Sequence, residues 1–431
     1  MLLVYTHKIT PRLTYIFKHF FVRILQIEVT FTTKIDKFVA HSGPKITYSK
    51  SPLASEFFIR SNDLLFDQGI NDIDINILKW DEVPCFFAAG EASSIPFDIF
   101  AAGFYLISRY EEYLPHVQDF HERFPAEESI AFKNGFLEQP VIDIWALKFL
   151  EALKEKFPNY EYKSKTFELI STIDVDAAYS FKHKGVVRTI GGFLKDIVGF
   201  RFVNFWNRFL AILNLKQDPF NTFKELLSIK KEHQVKTLFF FLLGDYTTYD
   251  KNISASNSRF QSLIKSVGDY AKIGMHPSYF SYKDLDKIKK EKQRLENITN
   301  TPIKFSRQHY LRLSIPETYQ YLIDLDIEED YTMGYAKRVG FRASTCTPFY
   351  FYDLDFEIQT PLKIIPFVLM DVTLRDGMNL NSKESLAKIL ELKDTVKSVN
   401  GTFVSLFHNE TLSETNGWEG WSEIYKKMVI G

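Results

Sequence analysis

Leu169-Ile-Ser-Thr-Ile-Asp-Val-Asp176 decides how this chain is read. Apolar and β-branched residues run up to Asp174 and Asp176, and then the pattern stops. This is the signature of a short buried strand ending in two carboxylates, with Ala177-Ala178-Tyr179 turning away into a loop. Side chains at i and i+2 of a strand share a face. Asp174 and Asp176 therefore project together from the carboxyl end of the strand, where α/β folds place their chemistry. Two adjacent carboxylates repel, and a proton, a cation or a metal relieves the repulsion. A capping or turn pair has the same short pattern, since Asp is common after strands.

Working outward, strands and helices alternate from residue 166 onward, which predicts a parallel sheet or barrel. The expected strands are Phe167–Val175, Thr237–Leu243, Lys272–Met275, Ile303–Ser306, Phe341–Ala343, Ile364–Met370 and Thr402–Phe407. Helices are expected near Phe220–Glu232, Ser256–Val267, Tyr282–Asn297, Pro316–Ile323 and Ser382–Val399. Leu386, Ile389, Leu390 and Val396 share one helical face, and Asn381 with Glu384 forms a capping-box pattern.

Residues 1–160 read as a separate, smaller α/β unit. Leu25–Thr32 alternates as a half-buried strand does, with short strands near Ile46–Tyr48 and Phe57–Ile59. A helix is expected from Ile95 to about Tyr113, with Arg109, Glu111 and Glu112 at its solvated end, and a second over Asp143–Lys156. Between them, Asp119–Phe124 reads as a solvated loop, with a binding loop as the alternative. Lys154–Lys165 has the composition of a linker.

The 431 residues carry a net charge of −1, so no global field points to nucleic acid. Two distant cysteines, Cys85 and Cys346, indicate neither a disulfide framework nor a thiolate metal site. No apolar run is long enough to span a membrane, and the N-terminus lacks a signal-peptide pattern, so a cytoplasmic location is expected. Residues 186–217 break the alternation, because a βα connection is rarely this long. The segment combines Phe193, Phe200, Phe202, Phe205, Trp206 and Phe209 with several Lys and Arg. It reads as an interfacial helix making peripheral membrane contact, or as a lid packed on the N-terminal unit.

Other expected strand ends also carry polar residues: His276-Pro-Ser-Tyr-Phe280, Arg307-Gln-His309-Tyr310, Asp330, Arg342, Asp371 and His408. At this point the chain resembles the polysaccharide deacetylases, the family-4 carbohydrate esterases with a NodB-homology domain. Thr172-Ile-Asp-Val-Asp176 resembles their first motif, which implies Asp174 as general base and Asp176 as metal ligand. His276 matches the first histidine ligand of their second motif, Arg307 the base-orienting arginine of the third, and His408 the general acid of the last. The resemblance covers about residues 166–412. It implies a distorted, incomplete (β/α) barrel over 166–431, preceded by the smaller α/β domain, as in an uncharacterised bacterial subgroup. It also implies a divalent metal, zinc first with cobalt or nickel as alternatives, and an N-acylated amino sugar or glycan as substrate.

The chain departs from the pattern at Phe280, where the second ligand histidine should stand. His309 occupies the place of a usual proline and is the candidate third ligand. Tyr310, Asp330 and Arg342 are candidate substrate contacts. The expected activity is metal-dependent removal of an N-acyl group. The alternatives are a catalytically inactive barrel that binds glycan or protein, and a glycoside hydrolase. Asp174 and Asp176 stand too close together for the last.

Overall fold

The computed structural model describes residues 1–431 as two main sheets and a small hairpin, with one large apolar core running through both main sheets. The first sheet is wholly parallel. Its strands are β1 (Leu2–Tyr5), β2 (Val29–Thr32), β3 (Lys45–Ser49) and β4 (Phe57–Arg60), in the order β2-β1-β3-β4. A small hairpin, β5 (Leu78–Trp80) with β6 (Val83–Cys85), lies apart from it. Strand β1 is absent from the sequence-based expectation, and Leu25–Thr32 shortens to β2 because Gln26 adopts a left-handed conformation.

The second sheet has nine strands. They are β7 (Glu168–Val175), β8 (Lys236–Leu242), β9 (Lys272–His276), β10 (Phe305–Ser306), β11 (Glu329–Asp330), β12 (Phe349–Asp353), β13 (Ile358–Ile364), β14 (Leu369–Met370) and β15 (Thr402–His408). Their order is β12-β13-β11-β10-β9-β8-β7-β15-β14, and only the β12–β13 pair is antiparallel. No pairing joins β12 to β14, so the expected incomplete barrel is not closed by strand pairing, although the segment from β13 to β14 reaches from the Asp330 carbonyl to the Val404 carbonyl through the N–H groups of Ile365 and Val368. The antiparallel hairpin ends one edge where a barrel would need another parallel neighbour. The expected strand Phe341–Ala343 is a non-regular loop, and the expected strand Ile364–Met370 divides between β13 and β14.

The parallel strands bury both faces, and their sequences show it: Phe239, Phe240 and Phe241 of β8 are all fully buried. One face meets a small cluster that includes Ile170, Phe240, Phe367 and Leu406. The other face contributes to the main core, which extends without a break into the first sheet. The outer helices Phe223–His233, Ser258–Gly268, Leu285–Thr299 and Ser382–Ser398 fall within a few residues of expectation, and the Asn381–Glu384 capping box is formed. Gly274 shows how closely the strands fit, because a Cβ there would lie 2.5 Å from the Phe240 ring and 2.9 Å from the Phe305 carbonyl oxygen. Gly274→Ala is expected to lower stability by about 1–3 kcal/mol. An unchanged urea midpoint would show that β9 can shift.

Polar bridges also tie the two sheets together. Arg12 donates to Glu357, Tyr15 Oη to the Tyr350 carbonyl, and Thr345 Oγ1 to Asp143. Arg109, Glu111 and Glu112, expected at a solvated helix end, are buried. The helix breaks at Arg109, which takes a left-handed conformation, and Glu112 accepts from both Arg109 and Arg342. Arg342 is therefore an inter-sheet anchor, with no access to a substrate.

Candidate metal centre

Parallel pairing brings the carboxyl ends of β7, β8, β9, β10 and β15 to one edge of the sheet. Asp174 sits beside His408 in register, and Leu242 beside His276. Thr172, Asp174 and Asp176 occupy alternate positions, and the Thr172 hydroxyl and the Asp174 carboxylate meet the same Nη1 of Arg307, at 2.7 and 3.0 Å. Arg307 is fully buried, its Nε donates to the Tyr331 carbonyl, and its guanidinium lies 4.9 Å from the Phe240 ring centroid. Asp174 is thus ion-paired and fixed in direction.

Asp176, two residues further and just past the end of β7, is a quarter exposed and faces three imidazoles. His276 Nε2 lies 3.1 Å from Oδ1, His309 Nε2 lies 3.4 Å from Oδ2, and His408 Nε2 lies 3.7 Å from Oδ2. Asp176 Oδ1 is buried with no hydrogen-bond partner. Each ring is oriented through its other nitrogen: His276 Nδ1 to the Arg307 carbonyl at 2.5 Å, His309 Nδ1 to Asp250 at 2.8 Å, and His408 Nδ1 to Asp371 at 2.8 Å. A ring held this way carries its proton on Nδ1 and turns the Nε2 lone pair inward, the arrangement common to metal-binding histidines.

A carboxylate facing such nitrogens is satisfied either by protons on the rings or by a cation that they share. One ligand atom each from Asp176, His276 and His309 all fall within 4.8 Å of one another, a spacing that a single ion can bridge. With no ion between them, the side-chain electrostatics favour protons on the rings, which a bound cation would displace. Burial opposes charge on Asp176, but the imidazoles, His309 foremost, hold its carboxyl well below the usual range. Burial also opposes charge on His309, yet Asp176 and Asp250 raise it to about 9. Burial opposes charge on His408 as well, but Asp371, Asp176 and Asp174 together raise it well above the ordinary histidine value. Glu410, beside them, is pushed to about 7 by burial and by Asp176.

The remaining residues singled out from sequence separate into two groups. Tyr310 lies on the rim, about a third exposed, with its ring 4.7 Å from that of His309. Asp330 is wholly buried and accepts from the Thr332 N–H and hydroxyl, and burial pushes it to about 6. Asp330 and Arg342 are not brought to the cleft. Phe280 is exposed in the turn Tyr279–Ser281 and packs near Tyr249 and Tyr279.

The loop Asp119–Phe124, expected to be solvated, reaches the rim. Arg123 Nη1 donates to the Tyr310 carbonyl at 2.7 Å, and Arg312 Nε donates to the His121 carbonyl at 2.9 Å. His121 Nδ1 lies 3.0 Å from Tyr279 Oη, and Tyr249 stacks on Tyr279 with ring centroids 3.9 Å apart. The result is an aromatic shelf beside the imidazoles, built from both parts of the chain. Asp250, the orienting partner of His309, escaped sequence reasoning because it lies in a loop with no motif around it.

Residues 2–158 match the model of DUF7033, a family of unknown function. No curated protein matches the chain. Among solved structures, a putative polysaccharide deacetylase from Mycobacterium smegmatis is 14% identical with a TM-score of 0.39, over 62% of this chain and 84% of that one. BA3943, a CE4 family pseudoenzyme from Bacillus anthracis, is 14% identical with a TM-score of 0.31, over 61% of this chain and 60% of its own. The polysaccharide deacetylase Bc1974 from Bacillus cereus is 12% identical with a TM-score of 0.29, over 61% and 85%. At such identities and scores the likeness says nothing of activity, which has to be read from the side chains.

Proposed function

We propose that the chain is a metal-dependent amide hydrolase that removes an N-acyl group, acetyl in the simplest case, from an amino sugar in a glycan or glycan precursor. One observation carries this reading. Oriented imidazoles converge on Asp176 directly beside a separate, arginine-held carboxylate, Asp174. A binding module has no need of both.

Asp176, His276 and His309 would hold the ion, with zinc the first expectation and cobalt or nickel the alternatives. Such an ion would supply Lewis-acid polarisation of the acyl carbonyl and acidify a water. Asp174 would take the proton of the attacking water, and Arg307 holds it aimed. His408, steadied by Asp371 and raised by it, would protonate the leaving amine. Tyr310, with Tyr249 and Tyr279, offers apolar ring faces on which the flat side of a sugar can rest.

The test separates ligand from base. Elemental analysis of purified protein should find about one divalent metal per chain in wild type and in Asp174→Asn, and none in Asp176→Asn or His276→Ala. Acetate release from N-acetylglucosamine oligomers should fall by about 10²–10⁴ in Asp174→Asn despite retained metal. Absence of metal from wild type after reloading with zinc, cobalt or nickel would refute the proposal, and the protonated-imidazole arrangement of a binding module would stand in its place.

A further inference from the structure

The long connection after β7 forms two helices, Val186–Val198 and Phe202–Ile212. They brace each other. Arg208 pairs with Asp196 at 2.8 Å, and Phe193 meets Phe205 edge-on. Their base is fastened to the rest of the molecule. Asp218 accepts from the N–H groups of Ser180, Phe181 and Lys182, and Arg188 donates to the carbonyls of Lys251 and Asn252. The outer face meets nothing. Of thirty large hydrophobic side chains exposed in the whole chain, fourteen lie between Val186 and Leu215. Val187 is 84% exposed, Phe200 81%, Val203 75% and Trp206 58%. An apolar patch of this density on a folded protein marks an interaction site.

The charges around the patch select its occupant. Residues 182–217 hold seven Lys and Arg against one acid, Asp196, in a chain whose total charge is −1. That acid is buried and already paired with Arg208. Lys195, Arg201 and Lys216 are exposed among the apolar side chains. Aromatic and aliphatic residues interspersed with unpaired cations fit the boundary between acyl chains and anionic headgroups. No helix is long and apolar enough to cross a membrane, so contact would be interfacial.

We propose that this helical pair seats the protein on an anionic lipid surface. Asn252, whose carbonyl holds Arg188 of the first helix, donates through its amide to the carbonyls of Val175 and Leu242 at the carboxyl ends of β7 and β8, so the seat belongs to the same end of the sheet as the imidazole cluster. Docking thus brings the cleft-bearing end of the molecule to the bilayer. The proposal stands independently of the chemistry in the cleft, since it uses none of its residues.

The test is flotation of the full chain with vesicles of phosphatidylcholine alone and of phosphatidylcholine with phosphatidylglycerol. Binding to the anionic vesicles is expected, weakened by high salt and about tenfold lower on neutral vesicles. Trp206, the only exposed tryptophan, should shift its emission to the blue on binding. The double variant Phe200→Asp, Trp206→Asp removes only solvent-facing side chains and should keep its circular dichroism while losing binding by at least about tenfold. No binding to either vesicle would overturn the proposal. So would a concentration-dependent dimer, abolished by the same variant, in a protein that ignores vesicles, because the occupant would then be a second copy of the chain.

Discussion

His309→Ala is expected to strip the protein of divalent metal and to lower hydrolytic turnover by at least about 10². Two nearby ligands, Asp176 and His276, would remain, and two seldom hold a transition ion firmly. His408 does not offer easy replacement, since its Nε2 lies 3.7 Å from Asp176 and its ring is tied to Asp371. Phe280→His in the same background should restore nothing, because position 280 is on an exposed turn and packs toward Tyr249. Asp250→Asn should keep the ligand but loosen its aim, lowering metal affinity by about 10–100-fold. Elemental analysis and competition with a chromogenic chelator measure all three. Stoichiometric metal in His309→Ala would exclude His309 as an essential ligand.

Glu112→Gln is expected to destabilise the fold by about 3–5 kcal/mol, although it lies away from the cleft. Glu112 is buried between Arg109 and Arg342, and removal of its charge leaves two guanidinium groups undercompensated. Burial alone would raise its pKa, but Arg342 and Arg109 outweigh burial and bring it down to about 2. The sign follows from that depression. The stabilisation is fully present above the unfolded value near 4.5 and is lost as pH falls through about 2. Its size is on the order of 3 kcal/mol. Urea titrations at neutral pH and near pH 3 should show the variant losing less stability with acid than wild type does. Arg342→Met should cost less in the Glu112→Gln background than alone, since the two residues share one interaction. Equal costs in both backgrounds would mean that the pair is not coupled.

The sequence made the cleft more legible than the scaffold. Asp174, Asp176, His276, Arg307, His309 and His408 each follow or end a strand with a strong apolar run or a distinctive neighbour, and the sheet gathers them. Asp250 had no such signal. The strands β10 and β14 fall inside the expected Ile303–Ser306 and Ile364–Met370, but β11 and β12 had no counterpart in the expectation, and a piece as short as β11 is set by its neighbouring strands and not by its own pattern. The charged run Arg109–Glu112 misled for a related reason. Charge normally marks solvent, and pairing within the run, together with the distant Arg342, makes its burial tolerable. Asp330 failed as a cleft residue because strand β11 turns its side chain onto its own Thr332.

The bond from Arg123 to the Tyr310 carbonyl has a thermodynamic corollary. Tyr310 and Leu311 both hold left-handed backbone angles in the turn that begins with His309, a conformation that needs outside support. Part of that support comes from the first 160 residues. Any cation that settles on Asp176, His276 and His309 therefore draws on the ordering of a loop that donates no ligand to it. Linkage is reciprocal. Whatever free energy the loop lends to the occupied site, the occupied site returns to the loop.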